Sequence, residues 1–147
     1  MVMVQFADNR KARFEYDLKD TLEAGLMLTG AEVKSVKDGN VSLKGSYVTI
    51  HTNGAYLLNA HIGPYKYAKN ENYDPTRTRK ILLKKAEINQ LIGKEKGTTI
   101  VPLEVYAGKN GKIKVKIGVG RGRKKEDKRE YIKNRDAKRE AKSHENT

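Results

Sequence analysis

From position 112 to 119 apolar and polar residues alternate without a break. Ile113, Val115, Ile117 and Val119 fall on one side of an extended chain, and Lys112, Lys114, Lys116 and Gly118 on the other. A strand with one apolar and one cationic face belongs in an antiparallel sheet that is covered on one side only. Other segments agree. Phe14, Tyr16 and Leu18 alternate with Arg13, Glu15 and Asp17, and Leu26 and Leu28 repeat the pattern between Gly25 and Gly30. Asn53-Gly54 predicts a tight type I′ turn, with positive φ angles, between strands at 46–52 and 55–62. Further strands are expected at 79–83, from Gly97 to Val105, and after a turn at 109–112. Val33 and Val36 mark a short helix over 31–37 that stops at Asp38-Gly39-Asn40. Ala86, Ile88, Leu91 and Ile92 mark a second, ended by Gly93. Residues 1–12 read as a mobile lead-in, and residues 63–78, with Pro64, Pro75, Asn70 and Asn72, as a loop of about 15 residues. Many short strands without a strand–helix–strand rhythm imply a mostly β fold. We expect an OB-like antiparallel closed barrel with two or three short helices and a basic C-terminal tail.

The domain boundary follows from composition. Residues 1–120 form the barrel, a length that suits one hydrophobic core. Residues 121–147 hold eleven Lys or Arg and six Asp or Glu, and their only apolar side chains are Tyr131, Ile132, Ala137 and Ala141. Such a segment cannot build a core and is expected to be disordered until a partner orders it. The chain as a whole carries a net +13 over 147 residues, which favours a polyanionic partner, nucleic acid first. A membrane is the weaker choice, because no apolar run approaches the ~18 residues of a spanning helix and the tail lacks large apolar residues for insertion. Residues 1–6 are too short to read as a signal peptide. With zero cysteines there is no thiolate metal site or disulfide, in keeping with a cytoplasmic protein.

Catalytic signals are weak. His51, His61 and His144 have no cysteine or carboxylate pattern that would complete a metal site. Glu23 and Glu32 could form a carboxylate pair, or be one solvent-facing charge and one charge answering nearby lysines. Gly118-Val119-Gly120-Arg121-Gly122 lacks the spacing of a dinucleotide fingerprint and reads as a flexible exit from the last strand. We therefore expect no catalytic residues, no metal and no cofactor.

Cations gather in three groups: Arg77, Arg79 and Lys80 with Lys84 and Lys85; the strand lysines 112, 114 and 116; and the tail. Tyr65, Tyr67 and Tyr73 in the long loop either stack on bases or staple the loop to the barrel. On a helical wheel Lys128, Arg135, Lys138, Arg139 and Lys142 share one sector with Tyr131, while Asp136 and Glu140 fall outside it. Helical, the tail would offer a cationic stripe to phosphates. An RNA-processing enzyme using Glu23, Glu32 or His61, and a basic ribosomal protein, stay open beside a nucleic-acid-binding module.

Several separated motifs narrow this choice. Gly30-Ala31-Glu32-Val33-Lys34-Ser35, Asp74-Pro75-Thr76-Arg77-Thr78-Arg79-Lys80-Ile81-Leu82-Leu83, Val101-Pro102-Leu103, Lys114-Val115-Lys116-Ile117-Gly118 and Asp127-Lys128-Arg129-Glu130 stand in the order and spacing of the SsrA-binding protein (SmpB) family, which the chain resembles from about Asn9 to Glu140. The resemblance implies a non-enzymatic, monomeric adaptor with an OB-like barrel. Its partners would be transfer-messenger RNA, whose tRNA-like domain it clasps, and the small-subunit rRNA at the decoding site of a stalled ribosome. The barrel would replace the missing anticodon arm, and the tail would enter the empty mRNA path and become helical there. Positions aligned with RNA-contacting residues of the family are Glu23, Leu82 and Lys114. Asn9, Arg10, Lys11, Arg77, Arg79, Lys80 and Lys116 join them as expected contacts. In the tail the resemblance implies ribosome contacts by Arg123, Lys124, Lys125, Asp127, Lys128, Arg129, Tyr131, Ile132, Arg135 and Arg139. One departure stands out: Glu126 occupies a position where many members carry an aromatic residue or histidine, leaving Tyr131, the backbone, or the cations Lys124, Lys125, Lys128 and Arg129 to compensate.

Overall fold

The computed structural model describes residues 4–69, 71–93 and 97–145, with side chains up to Lys138 in the tail, so Asn70 and the side chains of Arg139, Glu140, Lys142 and His144 lie outside the described set. The elements run β1 (Gln5–Asp8), α1 (Arg10–Glu15), β2 (Tyr16–Leu26), α2 (Gly30–Lys37), β3 (Val41–Ser42), β4 (Tyr47–His51), β5 (Gly54–Leu58), β6 (His61–Ile62), β7 (Arg79–Leu82), α3 (Lys85–Ile92), β8 (Thr99–Ala107), β9 (Ile113–Gly122) and α4 (Lys125–Glu145).

All strand pairs are antiparallel. The main sheet runs β8-β4-β5-β7-β2-β9, and β9 pairs back onto β8, so these six strands close as a ring; β1 adds to β8, and β3 with β6 forms a separate ribbon. The expected mostly β, barrel-like architecture is therefore present. The period-2 segment at β9 closes the ring, because it must pair on both edges at once. Ile113, Val115, Ile117 and Val119 point inward against Ala24, Leu57, Ile81 and Val105, all buried. Each of these valines, leucines and isoleucines contributes roughly 1.5–3 kcal/mol by leaving water.

The structure corrects four local expectations. Of the lead-in expected over 1–12, residues 1–3 lie outside the described residues, and the remainder is not mobile, since β1 pairs with β8 and Asn9 caps α1 by accepting from the Ala12 amide. Phe14 accordingly lies in α1 and not in a strand, because the Asn9 cap starts a helical turn that overrides the short alternation around it. The hairpin at 53–54 exists, but His51 pairs with Gly54, so Thr52-Asn53 makes the turn and positive φ falls on Gly54 alone. It is not type I′. Finally, Gly118, Gly120 and Gly122 are no flexible exit: they lie inside β9 and pair with β2. Beside the bulge between Leu18 and Asp20, a Cβ on Gly120 would collide with the Asp17 carbonyl, so glycine there permits close backbone approach. Gly120→Ala should cost at least about 2 kcal/mol. A urea midpoint equal to that of the unmodified chain would refute this.

Candidate nucleic-acid interface

The alternation that buries one face of β9 sends Lys114 and Lys116 to the outer face, and cross-strand register decides what joins them. Gly25 of β2 stands opposite Lys114 on one side and Leu82 of β7 on the other, while Glu23 stands opposite Lys116. Residues remote in sequence, Glu23, Leu82, Lys114 and Lys116, thus share one patch. Lys80 lies on the same face of β7, across from Tyr56. Leu82 is 51% exposed, which argues against a core role. It lies over Gly25, where an added Cβ would stand 3.3 Å from its Cδ1. Gly25, Val33, Leu82, Asn110, Lys112 and Lys114 border a groove of about 470 Å³. A larger hollow of about 520 Å³ lies elsewhere along the β2–β9 ladder, over Asp17, Asp20 and Arg121. Its mixed charge makes it a poorer phosphate site.

Charges alternate along the neighbouring row, with Glu23 opposite Lys116 and Lys116 opposite Glu104, a stabilising cross-strand order. The Tyr106 hydroxyl donates to Glu23; burial first, then this bond and the charges of Glu23 and Glu104, push the phenol up from its ordinary value. Tyr106 was missed in the sequence because only the tertiary fold brings it beneath Glu23. At the end of the row α1 is pinned by Arg13, 3.4 Å from Glu104 and 3.2 Å from Asp8. Arg10 and Lys11 of α1 are exposed. Chemically, the patch offers cations to phosphates, an apolar surface at Leu82 and an oriented acceptor for ribose hydroxyls or base amines at Glu23.

Two expected contacts leave the interface. Asn9 is buried, and its Nδ2 donates to the Pro102 carbonyl at 2.9 Å, which gives the Val101-Pro102-Leu103 motif a structural role. Arg79 is 0% exposed. All five of its N–H donors are satisfied, by Glu32, the Ala60, Arg77 and Pro75 carbonyls and the Tyr73 hydroxyl. It cannot reach RNA because the loop after β6 closes over it.

Its counter-charge is Glu32, also buried. Thr29 and Glu32 form a capping box at the start of α2: the Thr29 hydroxyl accepts from the Glu32 amide, and Glu32 Oε1 accepts from the Thr29 amide at 3.0 Å. The Thr-x-x-Glu spacing makes this box legible in sequence. The same carboxylate pairs with Arg79 at 2.8 Å and with half-buried Arg77, so Glu32 is not half of a catalytic pair with Glu23. Burial would raise the Glu32 pKa, yet hydrogen bonds from Arg77, the Thr29 amide and Arg79 outweigh it and hold the value down at about 2. Tyr73 donates to the Ile62 carbonyl at 2.8 Å and staples the loop, whereas Tyr65 and Tyr67 do not share this cluster. His61 is exposed, and no group of metal-ligating side chains occurs among the described residues.

In α4, Glu126 and Asp127 occupy the first turn, where negative charge complements the helix dipole. Asp127 also accepts from the Lys124 amide at 3.4 Å. The Glu126 departure thus favours helix initiation. Tyr131 faces the body, its ring centroid 6.4 Å from that of Phe14 and 4.5 Å from the Arg123 guanidinium. Lys128 lies over Phe14. In this arrangement Tyr131 is not available to replace an aromatic residue at position 126, because α1 holds it. Lys124, Lys125, Arg129 and Arg135 are exposed, while Arg123 and Ile132 are half-buried. Among the described residues no helix is long and apolar enough to cross a membrane.

Comparison with known proteins identifies the lineage. The family model described as SmpB protein matches residues 6–146. The SsrA-binding protein of Acetivibrio thermocellus is 52% identical over 136 residues, covering 91% of this chain and 88% of that protein. That of Chlorobaculum tepidum is 52% identical over 134 residues, covering 90% and 85%. A solved chain described as "tmRNA-SmpB: a journey to the center of the bacterial ribosome" superposes with a TM-score of 0.66 at 41% identity, covering 85% of this chain and 92% of its own. Matched across nearly its whole length by the family model and by relatives at half identity, the chain belongs to the SmpB family.

Proposed function

We propose that this chain is an adaptor that binds the tRNA-like domain of transfer-messenger RNA and carries it to ribosomes stalled on an mRNA without a stop codon. The observation that carries the reading is the register that gathers Glu23, Leu82, Lys114 and Lys116 on one outer face, in a chain whose relatives are SsrA-binding proteins. Lys114 and Lys116 hold phosphates, Glu23 accepts from ribose or base donors, and Leu82 packs on an exposed base or loop. With Asn9 and Arg79 committed to the interior, Lys80 extends this face along β7, and Arg10, Lys11 and Arg77 supply further phosphate contacts. On the ribosome the ring of strands stands in for an anticodon arm. The tail follows the vacant mRNA path with Lys124, Lys125, Lys128, Arg129, Arg135 and Arg139 toward rRNA phosphates. A single copy suffices, the setting is the cytoplasm, and no step requires a catalytic group of this chain.

The test is binding of purified transfer-messenger RNA by the full chain over a salt series. Lys114→Glu should weaken affinity by roughly tenfold or more and reduce the slope of log K against log salt by about one. Unchanged affinity and slope would remove Lys114, and with it this face, from the interface.

A further inference from the structure

Around α2 from the groove lies a second feature that the phosphate-binding face does not use. Tyr67 is 76% exposed. Its ring packs edge-on against Tyr65, with centroids 5.4 Å apart and planes at 74°. Lys66 Nζ sits 4.9 Å from the Tyr67 centroid, and Lys34 Nζ sits 5.6 Å from that of Tyr65. The rings stand on an anchored base. Ser35 Oγ donates to the Gly63 carbonyl at 2.6 Å, and the Gly63 amide donates to the Asn40 carbonyl. At the far end the loop is clamped by Tyr73, Arg79 and Glu32. A tyrosine whose purpose was to staple the loop would be at least half-buried and hydrogen-bonded to the body, as Tyr73 is.

We propose that Tyr67, supported by Tyr65, is a stacking platform for an unpaired base of transfer-messenger RNA, with Lys34 and Lys66 holding the flanking phosphates. Base–aromatic stacking beside cations is the usual chemistry of single-strand recognition, and the surrounding Lys34, Lys37, Lys66 and Lys69 outnumber Asp38 and Glu71. The occupant follows from continuity. Val33 of α2 borders the groove beside Leu82 and Lys114, and the next residue, Lys34, reaches Tyr65. One strand lying in the groove therefore meets the platform on rounding α2. This inference rests on the RNA-binding reading above and extends it to a second, base-directed contact.

The chain has no tryptophan, so Tyr67→Trp places a single reporter at the platform. Titrating that full-length variant with purified transfer-messenger RNA should quench its fluorescence as a base stacks. Tyr67→Leu should lower affinity roughly tenfold by the same factor at every salt concentration, with an unchanged melting temperature and with rescue by Tyr67→Phe. Lys114→Glu should instead change the salt slope. Absence of quenching, with Tyr67→Leu binding like the unmodified chain while Lys114→Glu still binds weakly, overturns the platform and leaves the RNA-binding reading standing. Failure of the unmodified chain to bind the RNA overturns both. Quenching by ribosomes but not by transfer-messenger RNA assigns the surface to another partner and refutes the proposal.

Discussion

Glu32→Gln is expected to destabilise the fold by about 3–5 kcal/mol, a large part of the 5–15 kcal/mol that holds a typical domain together. The substitution keeps the shape and removes the charge, leaving Arg79, which has no exposed surface, without its carboxylate. It also weakens the bond from the Thr29 amide that starts α2 and loosens the loop that Arg77 and Tyr73 hold against it. Urea unfolding followed by circular dichroism measures the loss, and a change below about 1 kcal/mol would show that the cluster is not critical. The sign of the pH dependence follows from the same residue. Its folded pKa of about 2 lies below the ordinary 4.5, so the folded state favours the ionised form. The stabilisation, about 3 kcal/mol, is fully present above pH 4.5 and is lost as pH falls toward 2. Glu32→Gln should therefore lack this component of the acid unfolding seen in the unmodified chain.

Truncation after Gly122 should leave binding of transfer-messenger RNA within a few-fold of the full chain and reduce tagging of stalled nascent chains to background. Contact between α4 and the rest of the chain centres on its first two turns, through Lys128, Tyr131 and Phe14. Removing it uncovers the Phe14 ring but no core side chain of the ring of strands. The remainder of α4 is highly charged in sequence and has little to bury, so its helicity in isolation is marginal and a polyanionic channel would reinforce it. Filter binding and a reconstituted tagging reaction separate the two activities. Tagging supported by the truncated chain would show that the tail does not sense the vacant channel, and strong loss of RNA binding would place primary recognition in the tail.

The correct and incorrect expectations divide along one line. Helix α2 and its stop at Gly39, the apolar face of β9 and the excess of cations were all readable, since each depends on neighbours within a turn or a pleat. The motif from Asp74 to Leu83 showed its limits. It reads as a cationic run, yet Arg79 and Lys80 are adjacent in sequence and opposite in fate, one buried and the other exposed on the outer face. Period 2 requires that opposition; which of the two turns inward depends on the strand's partners.

By itself the sequence determined helices α2 and α3, most strands of the ring, the sign of the surface charge and a tail too polar to form a core, because propensity, capping and charge are local properties. The tertiary structure alone decided that Glu32 meets Arg79 across 47 residues, that Tyr131 packs against α1, and that Glu23, Leu82 and Lys114 share one face. Burial and register depend on what the closed ring of strands brings alongside, which is a property of its pairing and not of any one segment.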